Sequence, residues 1–321
     1  MDVYGSLLHF FSSPQHRSQN PVELTEKTLL WCSKNECHII SSGELSPLLN
    51  KIQNAPPVYF VRGNLKCFQL PAIAVVGSRR ATNYGLACAY RLSRELSSSG
   101  ICIVSGLAKG IDGVGHRGAL SLRRPTVAVM GSGFAHLYPK EHQKLAFEIL
   151  DSGGAWLSEY PPFEPPLPFH FPQRNRLISG LSLGTLVIEA KKKSGSLITA
   201  LCGLEQGRDV FVVPGPIDSD SFQGGHELIQ NGAKLVSSVR DILEELPVEL
   251  NFSDIEQSDG VTPFCFGQAF TLSDWLKIFG RNGLSQLQIA LEQGRIFEIA
   301  PQRYLSTTAV ESKESCQMKF S

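Results

Sequence analysis

The 321-residue chain lacks a net charge, with Lys plus Arg and Asp plus Glu each totalling 30, so the sum gives no hint of a polyanionic partner. It has no apolar run approaching the roughly eighteen residues that a membrane span requires, and no charged leader followed by an apolar stretch. Secretion and membrane spanning are therefore not expected. Its eight cysteines, at 32, 37, 67, 88, 102, 202, 265 and 316, form none of the close pairs that zinc needs. A reduced, cytoplasmic compartment fits that usage. No histidine pair has metal-ligand spacing, no G-x-S-x-G elbow occurs, and neither a P-loop nor a G-x-G-x-x-G fingerprint is present. These absences leave no metal, no cofactor and no catalytic residue to expect. No internal repeat is visible either.

What the chain does have is unevenly placed. From Arg79 to Arg124 lie eight basic residues (Arg79, Arg80, Arg91, Arg94, Lys109, Arg117, Arg123, Arg124) against Glu95 and Asp112, whereas Asp241–Gly260 holds seven acidic residues and no basic one. Local fields rather than the total steer a charged ligand. Between about residues 71 and 246, β-rich runs alternate with amphipathic segments. The runs Ala72–Gly77, Ile101–Gly106, Thr126–Gly131, Ala155–Tyr160, Thr185–Ala190 and Asp209–Gly215 are apolar on nearly every residue, as strands buried on both faces are. Leu86–Leu96 reads as one of the intervening helices, and Ser238 with Asp241 as a cap opening a last one. The fold class expected is α/β, a doubly wound, mostly parallel sheet. The layout expected is a small, partly helical N-terminal module over 1–68, a Rossmann-like domain over 69–247, an acidic linker over 248–265, a winged-helix-like domain over 266–306 and a tail over 307–321.

Four glycine turns follow strands, all at the carboxyl edge where an open parallel sheet binds ligands. They are Gly77-Ser78-Arg79-Arg80, then Ser105-Gly106-Leu107-Ala108-Lys109-Gly110-Ile111-Asp112, then Gly131-Ser132-Gly133, then Pro214-Gly215-Pro216. Glycine lets backbone N–H groups approach an anion, and Arg79, Arg80 and Lys109 add charge-assisted bonds to phosphate. Taken singly, each turn is explained by the ordinary need of βα connections for glycine. Several turns on one edge, two of them basic, point to phosphate. The run Pro168–Arg176 adds Phe169 and Phe171, which can stack on bases, together with Arg174, Asn175 and Arg176. The competing account buries both phenylalanines in the core. After a lysine run, Ser194, Gly195 and Ser196 form an oxyanion nest at a helix start, with Thr199 one turn in. Asp112 reads as a cap for its own loop, and Glu159 as an orienting partner of Arg174 or Arg176.

Five segments together resemble the bacterial DNA-processing protein A family (DprA, also called Smf). They are Ala74–Arg79, Ser105–Asp112, Phe171–Ile178, Ser194–Ala200 and Val212–Gly215, and the resemblance runs from about Pro47 to Leu246. It implies an extended Rossmann-like fold in a non-enzymatic protein that binds single-stranded DNA, dimerises, protects incoming strands and loads RecA in natural transformation or recombination. Carried over by position, it implies a phosphate-binding Arg79, a base-stacking Phe171 and a DNA-contacting Lys140. It also implies dimer contacts at His226, Ile229 and Leu235, and a RecA-facing surface near Leu204 and Gln230. Three departures stand out: the upstream helix-hairpin-helix-like or SAM-like module of many members is not clear in residues 1–45, Pro168 occupies a position where some relatives carry a DNA-binding lysine, and Ala269–Tyr304 is only loosely similar to the family's C-terminal winged helix. Two other readings compete. A Rossmann-like nucleotide phosphoribohydrolase also presents glycine turns to a nucleoside monophosphate, but its Gly-Gly-x-Gly-Thr run is missing here. A recombinase scaffold without direct DNA binding would leave the basic edge incidental.

Overall fold

The computed structural model describes residues 3–12, 20–41, 44–247, 264 and 266–308. Helices α1 (Val3–Phe11) and α2 (Pro21–Lys34) come first. The second starts where Asn20 accepts a hydrogen bond from the Val22 N–H and Pro21, with no N–H of its own, takes the first turn. Strands β1 (Cys37–Ser41) and β2 (Val58–Gly63) follow. The alternating part then runs β3 (Ala72–Val76), α3 (Asn83–Ser98), β4 (Cys102–Ser105), α4 (Ile111–Leu120), β5 (Thr126–Met130), α5 (Gln143–Asp151), β6 (Ala155–Ser158), α6 (His170–Gly180), β7 (Gly184–Val187), α7 (Gly195–Glu205), β8 (Asp209–Val212), α8 (Gln223–Gln230), β9 (Lys234–Leu235) and α9 (Arg240–Leu243). All six apolar runs of the sequence are strands here.

These strands form one sheet of order β1-β2-β6-β5-β4-β3-β7-β8-β9. Pairing is parallel from β6 through to β9 and antiparallel at β1–β2 and β2–β6. The all-apolar strands are explained by their two covered faces. Ile73 and Val75 of β3 pack with Cys88, Leu92 and Leu96 of α3, while Ala72, Ala74 and Val76 pack with Leu177, Ile178 and Ala200 of α6 and α7. Residues 1–68 do contain helices, as expected. Their strands, however, join the central sheet at its β6 edge, with Phe60 paired to Ser158 and Val61 to Leu157. Alternate strand residues Val58 and Phe60 pack with Leu7 and Phe11 of α1 and Cys32 of α2.

The C-terminal unit contains β10 (Ala269–Thr271), α10 (Leu272–Phe279), α11 (Gly283–Glu292), β11 (Ile296–Ala300) and β12 (Arg303–Ser306), with an antiparallel sheet of order β10-β12-β11. A capping box, Thr271 and Asp274 each accepting the other's backbone N–H, starts α10. Two helices and a strand were expected here; β10 and β12 are additional. Its small core centres on Trp275, Phe270, Phe264 and Tyr304. Apart from Phe264, the expected linker 248–263 and residue 265 lie outside the described residues, as do residues 309–321 of the expected tail.

Candidate nucleic-acid interface

The strand order dictates where a ligand cleft can open. The chain runs outward from β3 through β4 and β5 to β6, then returns through α6 to place β7 on the other side of β3. The connections leaving the carboxyl ends of β3 and β7 therefore diverge to opposite faces, which leaves a crevice between them. A cleft of about 530 Å³ occupies that position, walled by Ser78 and Arg79 after β3, Lys191–Ser196 after β7, and Phe171 and Asn175 on α6.

Each wall has a local cause. The turn after β3 is strapped to the turn after β4: Gly110 has φ 76° and would place a side chain 2.2 Å from the Ser78 carbonyl oxygen, while the Ile111 N–H donates to that same oxygen at 3.2 Å. The second turn is held from inside by Asp112, which accepts the N–H groups of Gly106 at 3.1 Å and Ala108 at 3.4 Å. Asp112 thus orients its own loop, as its place at a helix start suggested. Burial pushes its carboxyl pKa up, opposed by Arg174 and the two N–H donors. Across the crevice, the buried carboxylate of Glu189 accepts from Thr82 N–H at 2.9 Å and Thr82 Oγ1 at 2.8 Å, tying the end of β7 to the start of α3. Sequence alone gives Glu189 no role, because its partner Thr82 lies 107 residues away in the chain. Ser194 and Ser196 share a 2.8 Å hydrogen bond at the start of α7, Asn175 donates to the Gly195 carbonyl at 3.2 Å, and Thr199 lies buried beneath.

Arg79 stands at the junction of these walls, with its guanidinium 5.6 Å from the Phe171 ring centroid. It is exposed and makes no ion pair among the described residues. Phe171 is only half-buried and lies over Gly131, whose missing Cβ would sit 2.9 Å from the ring. Tyr138 approaches the same ring at 5.3 Å and is 46% exposed. Tyr138 is not marked by sequence although it stands two residues before Lys140, since nothing local couples it to Phe171. Beside them, Lys109 joins a small hollow with Arg79, Gly106, Tyr138 and Phe171. Its ammonium is 2.6 Å from Glu141, whose pKa it lowers by that bond. Both are exposed, so water and salt screen the pair and it exchanges readily for a phosphate.

Not every residue expected at the DNA is free to reach it. Ser105 is fully buried and donates to the Val75 carbonyl at 2.6 Å, lacing β4 to β3. Arg174 is 3% exposed and donates to the carbonyls of Gly106 and Val129. Burial lowers its pKa to about 10, so it stays cationic at neutral pH as an internal brace. Arg176 is paired with buried Glu159 at 2.6 Å and donates to the Asn54 carbonyl at 3.3 Å. Breaking such a pair by removing one partner costs roughly 3–5 kcal/mol, too much to exchange for one phosphate. Polar type marked all three for the ligand; burial assigns them to the frame. Lys140 is exposed outside the main cleft, and Arg80 and Gly110 line a neighbouring one. The fourth glycine turn faces elsewhere, with Pro214 accepting from Tyr84 and Gly215 from His226. Phe169, 63% exposed, does not enter the core either.

Farther along, His226 donates through Nε2 to Gly215 at 3.1 Å, and Ile229 packs partly on the core. Leu204 and Leu235 are exposed, at 50% and 46%, and Gln230 is exposed with them. Leu204 belongs to a stripe on α7 that includes Ile198 and Leu201. No group of three or more His, Cys, Asp or Glu among the described residues could hold a metal. No described helix is long and apolar enough to cross a membrane.

Known proteins share this geometry. The chain is similar to Protein Smf of Escherichia coli, 41% identical over 255 residues that cover 76% of this chain and 68% of that one. The solved structure of DNA processing protein A from Streptococcus pneumoniae superposes with a TM-score of 0.64 at 39% identity, covering 78% of this chain and 88% of that chain. A DNA processing protein A structure from Helicobacter pylori, described for its single-stranded DNA binding mode, gives a TM-score of 0.59 at 27% identity, with 64% and 94% covered. The family model of DNA recombination-mediator protein A matches residues 36–247, the span that builds the whole central sheet and its cleft, and the chain belongs to that family.

Proposed function

We propose that this protein is a cytoplasmic recombination mediator that binds single-stranded DNA along the crevice between β3 and β7, protects it, and hands it to RecA without covalent chemistry of its own. The observation that carries this reading is the placement of Arg79 and Phe171 together at the crevice mouth, an unpaired cation for phosphate beside an accessible ring for a base. The nest at Ser194–Ser196 and the exposed Lys191 and Lys193 extend the phosphate track. Stacking and backbone contacts do not read base edges, so the site suits many sequences. The solved relative described for its single-stranded DNA binding mode supports the same ligand. As part of the same proposal, the protein works as a homodimer through the surface of His226, Ile229 and Leu235, and RecA meets it near Leu204 and Gln230. The C-terminal unit over 266–306 belongs to it as a winged-helix-like domain beside the DNA-binding domain over 69–247.

Filter binding with single- and double-stranded oligonucleotides at two salt concentrations tests the core of the proposal. Single strands should be preferred, with affinity falling steeply as salt rises, because each neutralised phosphate releases counterions. Arg79→Ala should weaken every sequence alike and flatten the salt slope by about 0.7. Phe171→Ala should cost about 1–3 kcal/mol of affinity. Undiminished binding by Arg79→Ala would refute the assignment and favour a scaffold with an incidental basic edge.

A further inference from the structure

A second cleft, of about 300 Å³, begins at Arg79 and runs away from the crevice between α4 and the edge of β11. One wall carries Arg80, Arg117 and His142, and the other carries Phe297, Glu298 and Ile299 of the C-terminal unit. Neither the glycine turns nor the crevice between β3 and β7 accounts for this space. Three features mark it as more than a seam between two packed bodies.

The first is charge. Arg79, Arg80 and Arg117 are exposed, and none is within 4.0 Å of a carboxylate among the described residues. The one acid facing them, Glu298, is turned to its own hairpin, where it accepts the Gln302 N–H at 2.8 Å. Three unpaired guanidiniums along one cleft repel one another unless an anion lies between them. The second is the rigidity of the far wall. Phe297 is 4% exposed and stacks on Tyr90 of α3 with ring centroids 4.4 Å apart and planes 4° from parallel. Arg94 of α3 donates to the Glu292 carbonyl at 3.3 Å and to Ser121 Oγ at 2.9 Å, fastening the end of α11 to the turn after α4. The wall is thereby docked in place. The third is continuity, because Arg79 lines this cleft, the main crevice and the hollow beside Lys109 alike. A strand leaving Arg79 toward Lys109 must displace Glu141 from the lysine, whereas one turning toward Arg117 meets guanidiniums with no carboxylate within 4.0 Å among the described residues.

We propose that the cleft between α4 and β11 carries the phosphate backbone of the same single strand beyond Arg79, with Arg80 and Arg117 as phosphate ligands, so that the docked C-terminal unit sets the length of DNA held. The proposal rests on the reading that the crevice binds single-stranded DNA, and its test separates the two. Oligothymidylates of increasing length are titrated against the wild type and against Arg117→Ala, Arg117→Glu and Glu298→Lys; Arg117 is exposed, and because Glu298→Lys gives up the Gln302 N–H bond its melting midpoint is compared with the wild type.

Oligomers filling only the crevice should bind all four proteins alike. Longer ones should gain affinity on the wild type up to a plateau. Arg117→Ala should reach that plateau at a shorter length and with a salt slope lower by about 0.7, the loss expected for one phosphate contact on a single strand. Arg117→Glu should lower long-oligomer affinity further, and Glu298→Lys should raise it and steepen the slope. If short oligomers bind the wild type and Arg117→Ala matches it at every length and salt concentration, the second track does not exist. A change in duplex binding alone by the Arg117 variants would rule it out equally. If short oligomers fail to bind the wild type at all, the crevice reading itself falls.

Discussion

At the residue scale, burial separates polar side chains that meet a ligand from those that shape its site. Arg79 and Arg174 look equivalent as isolated cations, yet one is exposed and the other is 3% exposed with one guanidinium nitrogen donating to two backbone carbonyls. His116 illustrates the energetic side of burial. Its Nδ1–H donates at 2.8 Å to Thr126 Oγ1, whose own hydrogen goes to the Ile103 carbonyl, and its Nε2 has no partner among the described residues. Burial first, then His142 and Arg174, lower its pKa to about 3 from 6.5. Below pH 6.5 the unfolded chain accepts a proton that the folded chain refuses, so His116 removes stability progressively as pH falls toward 3. Replacing it by His116→Asn should reduce the pH dependence of the unfolding free energy at pH 5 by about 1.4 kcal/mol per pH unit, read from urea melts at stepped pH. Parallel curves for the two proteins between pH 6.5 and 4 would show that the imidazole is protonated in the fold.

At the element scale, the crevice depends on turns that cross one another. Gly110 crosses Ser78 closely enough that a methyl group has no room, and its φ of 76° is itself unfavourable for a side chain. Gly100 serves as an internal control, with φ 84° and open space around its missing Cβ. Gly110→Ala should therefore lower stability by more than Gly100→Ala, whose cost is the ordinary one of about 1 kcal/mol for a side chain in that backbone region. It should also weaken single-stranded DNA binding, because pushing Ser78 away displaces Arg79. Equal denaturation midpoints for the two variants would mean that the turns separate without penalty. The six buried strands were legible because parallel strands covered on both faces carry apolar residues throughout. Strand β1 was not, since His38 and its mixed exposure break that pattern; β2 carries a buried apolar run, Val58–Val61, but a short one that follows the Pro56-Pro57 break. Nothing in residues 1–68 announces that their partner is β6, a contact nearly one hundred residues away in sequence.

At the scale of the molecule, the exposed Leu235 is where the proposed dimer surface can be tested. On the dimer reading, Leu235→Asp should halve the molar mass measured by light scattering at micromolar concentration. It should leave short oligomers bound as before, and it should weaken long single strands that span two crevices, because linked sites gain from effective concentration. Unchanged molar mass would remove this surface from the dimer proposal. The docking of the C-terminal unit through Tyr90 and Phe297 also belongs to this scale.

The alternating buried strands, the glycine turns at their carboxyl ends and the five segments that resemble one family are readable along the chain, because they follow from local pattern and short-range chemistry. The tertiary structure decided which charges are available. It set Arg79 free beside Phe171, committed Arg174, Arg176 and Ser105 to internal bonds, and brought Tyr138 and Glu189 to the site. The physical reason is that a buried cation or hydroxyl must find its partners inside the fold, and those partners come from strands and loops far apart in the chain.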